Sequence, residues 1–223
     1  MSVKIIIDSS ADLPESLLDS VSVVPMSIRV DEEEFIDGVT ITRKEFYEML
    51  IESDVLPQTS QATPDSFEQV FREAVNDGDT AVVITVSSKL SGTYQSAMIA
   101  AEEFPGKIYV VDSQSAAIGA GILTQRAIAL QQEWLSAPQF AGILCEERNN
   151  ICIIAMLDTL EYLKRSGRIS PTVAFAGSLL AIKPVVSLEK GEIKRLGKAR
   201  GSKHGNNLLV KMIEENGGVD FDK

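Results

Sequence analysis

The sequence predicts an α/β fold in two parts: a larger N-terminal domain over residues 1–155, built on a mainly parallel sheet, and a smaller α+β domain over 156–223 with antiparallel strands. Three observations predict it. Short apolar, β-branched runs alternate with helical stretches through the first two thirds of the chain, as in βαβ units. That alternation stops near residue 156. Beyond it, two extended segments flank Leu188-Glu189-Lys190-Gly191, a hairpin signal and hence an antiparallel pair.

Residues 3–7 read as a buried strand stopped by Asp8-Ser9-Ser10. Pro14 opens a short helix ending near Asp19, and 21–30 is extended with a break at Pro25. A charged turn covers 31–34. Thr42 with Glu45 three residues on is a capping box, so a helix covers 43–52. Pro57-Gln58-Thr59-Ser60-Gln61 reads as a polar loop. Thr63 caps and Pro64 opens the next helix. There Phe67, Val70, Phe71 and Ala74 recur on one face. Strands follow at 81–85 and 107–111, with a loop at 87–92 and a helix at 93–103 between them. Helices at 116–135 and from Pro138 to Asn149 lead to a strand at 151–156. Residues 183–187 and 192–196 are the hairpin strands. A final helix at 202–215 carries Leu208, Leu209, Met212 and Ile213 as its apolar stripe.

The chain has 223 residues, enough for one to two domains at ~150 residues each. Its net charge of −11 argues against a nucleic-acid partner, because phosphates need cations. Two cysteines, Cys145 and Cys152, exclude a disulfide framework and a thiolate zinc site, and both are expected on apolar faces. The sole histidine, His204, removes most triad mechanisms and reads as a surface residue. The N-terminus has no signal-peptide pattern, and the longest apolar run, 175–182, is too short to span a bilayer. The expected location is the cytoplasm, with no stable membrane insertion, no metal and no cofactor.

In open parallel sheets, ligands collect beyond the carboxyl ends of the strands. Those ends carry hydroxyls here: Asp8-Ser9-Ser10, Ser87-Ser88 and Asp112-Ser113. Lys89-Leu90-Ser91-Gly92-Thr93 lies between a strand and a helix and suits an anion at the helix N-terminus. Simple N-capping by Ser91 accounts for the same spacing equally well. The 57–61 segment is a second hydroxyl-rich stretch, or else a solvated turn. Lys164-Arg165-Ser166-Gly167-Arg168 and the group Lys194, Arg195, Lys198, Arg200 and Lys203 are basic clusters in an acidic chain. They are solvated surface or a docking face for an acidic partner.

Several segments together resemble the DegV family of bacterial fatty-acid-binding proteins. They are Ile7-Asp8-Ser9-Ser10-Ala11-Asp12-Leu13-Pro14, Thr59-Ser60-Gln61, Leu90-Ser91-Gly92-Thr93-Tyr94-Gln95-Ser96-Ala97 and Val111-Asp112-Ser113. Residues 157–169 and Ile182-Lys183-Pro184 continue the series in the family's order.

The resemblance implies a three-layer N-terminal α/β domain and a C-terminal domain with an antiparallel sheet. It implies a long-chain fatty acid in a tunnel between them, its carboxylate held by Thr59 and Ser91. Ser60, Gln61, Gly92 and Thr93 would support those loops. Phe175, Leu179, Leu180 and Ile182 are candidate lining for the acyl tail, or else ordinary core. The resemblance also implies a carrier that presents the acid to a dihydroxyacetone-kinase-like fatty acid kinase, with Arg168 and Arg200 as docking candidates. Family chains continue for several tens of residues further, so the second domain is expected to be partial. Two other readings stand beside the carrier. One is an acyl hydrolase or transferase with Ser91 as nucleophile and Lys89 or Lys164 as base. Against it, Ser91 lacks the G-x-S-x-G elbow. The other is a partner-binding protein with a vestigial pocket.

Overall fold

The protein, seen here as a computed structural model, is described over residues 2–53, 55–76, 78–170, 182–215 and 217–218. It forms two units, Met1–Ile151 and Cys152–Lys223.

The first unit is built on four parallel strands. β1 (Val3–Asp8), β2 (Ser22–Val24), β6 (Thr80–Thr85) and β7 (Ile108–Asp112) lie in the order β2-β1-β6-β7. Alternation along each strand sends its side chains to two opposite cores. Ile5, Ile7, Val82, Ile84 and Val111 meet α4 (Ile118–Leu130) and α5 (Ala137–Glu147). Ile6, Ala81 and Val83 meet α2 (Pro64–Val75) and α3 (Thr93–Ala101). Both faces of the sheet are therefore covered, which is why these strands are apolar almost throughout. The expected amphipathic face of α2 buries Phe67, Phe71 and Ala74. Phe71 packs against Phe67 and Phe104 at ring distances of 5.6 and 5.8 Å. Truncating Phe71 to alanine would cost about 3–5 kcal/mol.

Local signals set several boundaries. Thr42 and Glu45 form the complete capping box of α1 (Arg43–Glu52). The Glu45 carboxyl is held below its usual range by the Thr42 hydroxyl. Thr63 accepts from Ser66 N to cap α2, whose first residue is Pro64.

Several expectations need correction. Residues 58–60 are not loop but β5 (Gln58–Ser60), antiparallel to β3 (Ser27–Val30) with Ile28 opposite Thr59. β3 also pairs with β4 (Glu33–Ile36), and α1 covers the apolar face of this small sheet through Phe46 and Met49. A three-residue polar strand has no hydrophobic alternation to announce it; its partner's backbone makes it a strand. α4 begins at Ile118 and ends at Leu130, shorter at both ends than expected. Ala117 precedes it with φ 47° and ψ −122°, a backbone that cannot continue a helix. Cys152 is exposed, while Cys145 is half-buried beside the α4–α5 core.

In the second unit, β8 (Ile153–Met156), β9 (Ile182–Glu189) and β10 (Glu192–Arg200) form an antiparallel sheet in the order β10-β9-β8. The expected strand near 151–156 is thus not a further parallel strand. It pairs antiparallel with β9, because β9 offers Val185, Val186 and Leu188 as apolar partners on its flank. Lys190 and Gly191 turn the β9–β10 hairpin with φ 49° and 83°, the left-handed backbone such a two-residue turn requires. α6 (Glu161–Arg165) contributes Leu163 to the cluster around Leu160, Ile169 and Val186. α7 (Gly201–Glu215) packs on the sheet through close approaches of Gly205 to Met156 and Leu208 to Gly197.

Candidate functional site

The carboxyl ends of β1, β6 and β7 form one continuous polar edge, and hydrogen bonds tie each exit to the next. Asp8 is 1% exposed; its Oδ1 accepts from Ser10 N at 3.0 Å and Ser10 Oγ at 2.5 Å. Its Oδ2 accepts from Val86 N at 2.6 Å, joining β1 to the chain leaving β6. Burial pushes the Asp8 carboxyl above its ordinary value of 3.8, against the opposing pull of the Ser10 and Val86 bonds. Ser87 N donates to Ser115 O at 2.8 Å, and Ser88 Oγ to Asp112 Oδ2 at 2.6 Å, joining β6 to β7. Ser9 Oγ accepts from Met26 N at 3.1 Å. Most hydroxyls read from the sequence as ligand-facing are thus engaged in holding the strand exits in place.

Ser91 and Thr59 are placed differently. Ser91 is half-buried ahead of α3. Its hydroxyl lies 2.9 Å from Thr93 Oγ1 and accepts from Thr93 N at 3.3 Å. It is not the N-cap residue of α3, a position that Gly92 occupies without a side-chain bond. Thr93 itself is fully buried. Thr59 is exposed on β5 and shares a face with its partner Ile28. Ser60 and Gln61 continue this exposed edge.

Gln61 brings the two segments together. Its Nε2 donates to Ser96 Oγ at 3.0 Å, and its carboxamide lies directly over Gly92, where a Cβ would overlap it. An alanine here would push aside that carboxamide, the movable end of a side chain; the Gly92 φ of −75° is available to any residue. Ser96, 1% exposed in the first turns of α3, is a residue that sequence reasoning missed. A serine inside a helix carries no local signal of a partner 35 positions away. The Gln61 contact sets the end of the segment that carries Thr59 against the turn after Ser91, at the N-terminus of a nine-residue helix.

Among the described residues, Ser91 Oγ is in hydrogen-bond contact with the hydroxyl and amide of Thr93, neither of which is a general base. His204 is exposed on α7. Among the described residues, no cluster of His, Cys, Asp or Glu could hold a metal ion. None of the described helices is long and apolar enough to cross a membrane.

The other candidates lie in the second unit. Arg168 is half-buried and donates from Nη1 to Ser166 O at 2.6 Å. Arg200 is exposed at the end of β10, opposite a half-buried Ile182. Phe175, Leu179 and Leu180 lie outside the described residues.

Residues 2–220 match a protein family described as "Uncharacterised protein, DegV family". A DegV domain-containing protein of Caldanaerobacter subterraneus is 36% identical over 98% of this chain and 79% of its own. A Thermus thermophilus structure described as fatty acid binding of a DegV family protein superposes with a TM-score of 0.86 and 37% identity, over 97% of this chain and 78% of the other. The Streptococcus pneumoniae Fatty Acid Kinase (Fak) B3 protein, loaded with linoleic acid, gives a TM-score of 0.83 at 25% identity, over 97% and 79% of the two chains.

Proposed function

The chain belongs to the DegV family, and from that premise we propose that it binds a long-chain fatty acid and carries it without transforming it. The acid's carboxylate is held by Thr59 on β5 and Ser91 ahead of α3, supported by Ser60, Gln61, Gly92 and Thr93. The observation that carries this reading is the Gln61 bridge, which fixes the two hydroxyl-bearing segments against each other at the N-terminus of α3. The fatty acids bound by similar proteins of known structure support it.

Hydroxyl donors and a helix N-terminus compensate a carboxylate without neutralising it by proton transfer. The Thr93 hydroxyl and amide beside Ser91 are not bases, which supports retention and presentation over hydrolysis. The acid is handed to a dihydroxyacetone-kinase-like fatty acid kinase in the cytoplasm, and the kinase forms the acyl phosphate. The likeness to the Fak B3 protein supports that partner. Arg168 and Arg200 form its docking face, and Ile182 lines the acyl tail. Arg200→Glu lowers the rate of kinase-dependent acyl phosphate formation while fatty-acid affinity stays at the parent value.

Native mass spectrometry of the purified protein, followed by solvent extraction, tests the core of this reading. A co-purifying long-chain fatty acid is expected. A protein that is empty and takes up no labelled palmitate on titration overturns it.

A further inference from the structure

β1 lies between β2 and β6, so the turn that leaves it stands between two other strand exits. Asp8 and Ser9 each hold one of them. On the β6 side, the buried Asp8 carboxyl accepts from Val86 N at 2.6 Å. The next residue, Ser87, accepts through its carbonyl from Leu90 N and Ser91 N at 3.0 and 3.1 Å. Asp8 is thus two short links from the backbone of Ser91.

On the β2 side, half-buried Ser9 brackets Pro25. Its N–H donates to Val24 O at 3.0 Å, and its Oγ accepts from Met26 N at 3.1 Å. Pro25 itself has no N–H to offer. Met26 runs directly into β3, where Ile28 pairs with Thr59. Met26 O also accepts from Asp37 N at 3.0 Å, which ties the end of β4 to the same point. The small sheet that carries Thr59 is therefore attached to the exit of β1 through Ser9. Gln61 joins the Thr59 and Ser91 segments from the other end.

We propose that Ser9 and Asp8 are positioning residues of the carboxylate site: Ser9 places Thr59 and Asp8 places Ser91, so the spacing of the two hydroxyls is fixed at the exit of one strand. This assignment rests on the fatty-acid reading above. Two hydroxyls that grip one carboxylate must both meet hydrogen-bond geometry, so a small shift of either weakens its bond.

The test is a pair of crossed double-mutant cycles on the affinity for radiolabelled palmitate. Ser9→Ala and Asp8→Asn are each combined with Thr59→Ala and with Ser91→Ala. Ser9→Ala removes the acceptor for Met26 N and leaves the Ser9 N–H bond to Val24 in place. It raises the palmitate Kd about threefold or more. In its background Thr59→Ala costs less than in the parent, whereas Ser91→Ala costs the same. Asp8→Asn gives the mirror image: the cost of Ser91→Ala shrinks and that of Thr59→Ala holds. Thermal unfolding confirms that each variant is folded at the assay temperature, and the Ser9 cycle reads independently of the buried Asp8. General loosening of the fold would weaken both hydroxyls alike, so equal changes in the two cycles overturn the assignment. Additive cycles overturn it too, as does parent-like binding by Ser9→Ala and Asp8→Asn. A crossed pattern in one cycle alone overturns the role of the other residue. Each of these results leaves the fatty-acid reading intact. A parent protein that takes up no palmitate overturns both.

Discussion

Gln61 is locked across Gly92: its Nε2 donates to Ser96 Oγ at 3.0 Å, and its Cδ lies 2.7 Å from where a Cβ on Gly92 would stand. One side chain thereby spans from the end of β5 to the first turns of α3. Thr59 is two residues before Gln61, and Ser91 is one residue before Gly92. The relative placement of the two hydroxyls therefore depends on this contact.

Gly92→Ala is expected to displace the Gln61 carboxamide and break its bond to Ser96. The stability cost is about 1 kcal/mol, that of one lost hydrogen bond, because the displaced atoms end a flexible side chain. Fatty-acid affinity falls by more than this stability change alone would produce. In a double-mutant cycle with Gln61→Ala, Gly92→Ala costs less than it does alone, because the partner it displaces is gone. Strict additivity of the two changes would show that the contact carries no coupling.

On the proposed reading, Thr59→Ala and Ser91→Ala each remove a hydrogen bond to a charged group, worth about 1.5–3 kcal/mol, or at least a tenfold rise in Kd. Thr59 is exposed on an edge strand, so its variant should unfold at nearly the parent temperature. Titration with a fluorescent fatty acid checks both. Two variants that bind like the parent would exclude these hydroxyls from the site.

Ala117 holds φ 47° and ψ −122°, while its carbonyl accepts from Asp12 N at 3.1 Å. A side chain at such a backbone is strained by about 1–3 kcal/mol. Glycine removes the strain but adds entropy to the unfolded chain, about 0.5–1 kcal/mol. Ala117→Gly is therefore expected to stabilise the protein by about 1 kcal/mol and to raise Tm by ~2–4 °C. A lower Tm in calorimetry would contradict the assigned strain.

Asp8 makes stability depend on pH in the direction opposite to most carboxylates. Its native pKa is raised, chiefly by burial, so the folded protein keeps a proton that the unfolded chain has already lost. The unfolded state then binds fewer protons, and stability falls as pH rises from the ordinary value of 3.8 through the raised native value. Above the native value the loss levels off. The stability of the parent relative to Asp8→Asn, measured by denaturant unfolding from pH 4 to 8, should decline with pH across that window. A difference that grows with pH would reverse the sign assigned here.

Elements whose causes are local were legible in the amino-acid order. Thr42 and Glu45 close a capping box three residues apart, Thr63 and Pro64 start α2, and Lys190-Gly191 turns a hairpin because both residues take positive φ. The apolar runs of β1, β6 and β7 announced a sheet covered on both faces, because each of its faces must meet helices. The motif segments around Thr59 and Ser91 marked where to look for the site. How they meet is a matter of folding. Thr59 sits on a strand because Ile28 supplies the pairing backbone, and β8 runs antiparallel because β9 is its neighbour. The Gln61–Ser96 bond joins residues 35 positions apart. Capping and periodicity act over a few residues and leave their mark in the local sequence. Strand partners, close approaches and cavities depend on distant segments brought together by folding, and no single stretch of sequence encodes them.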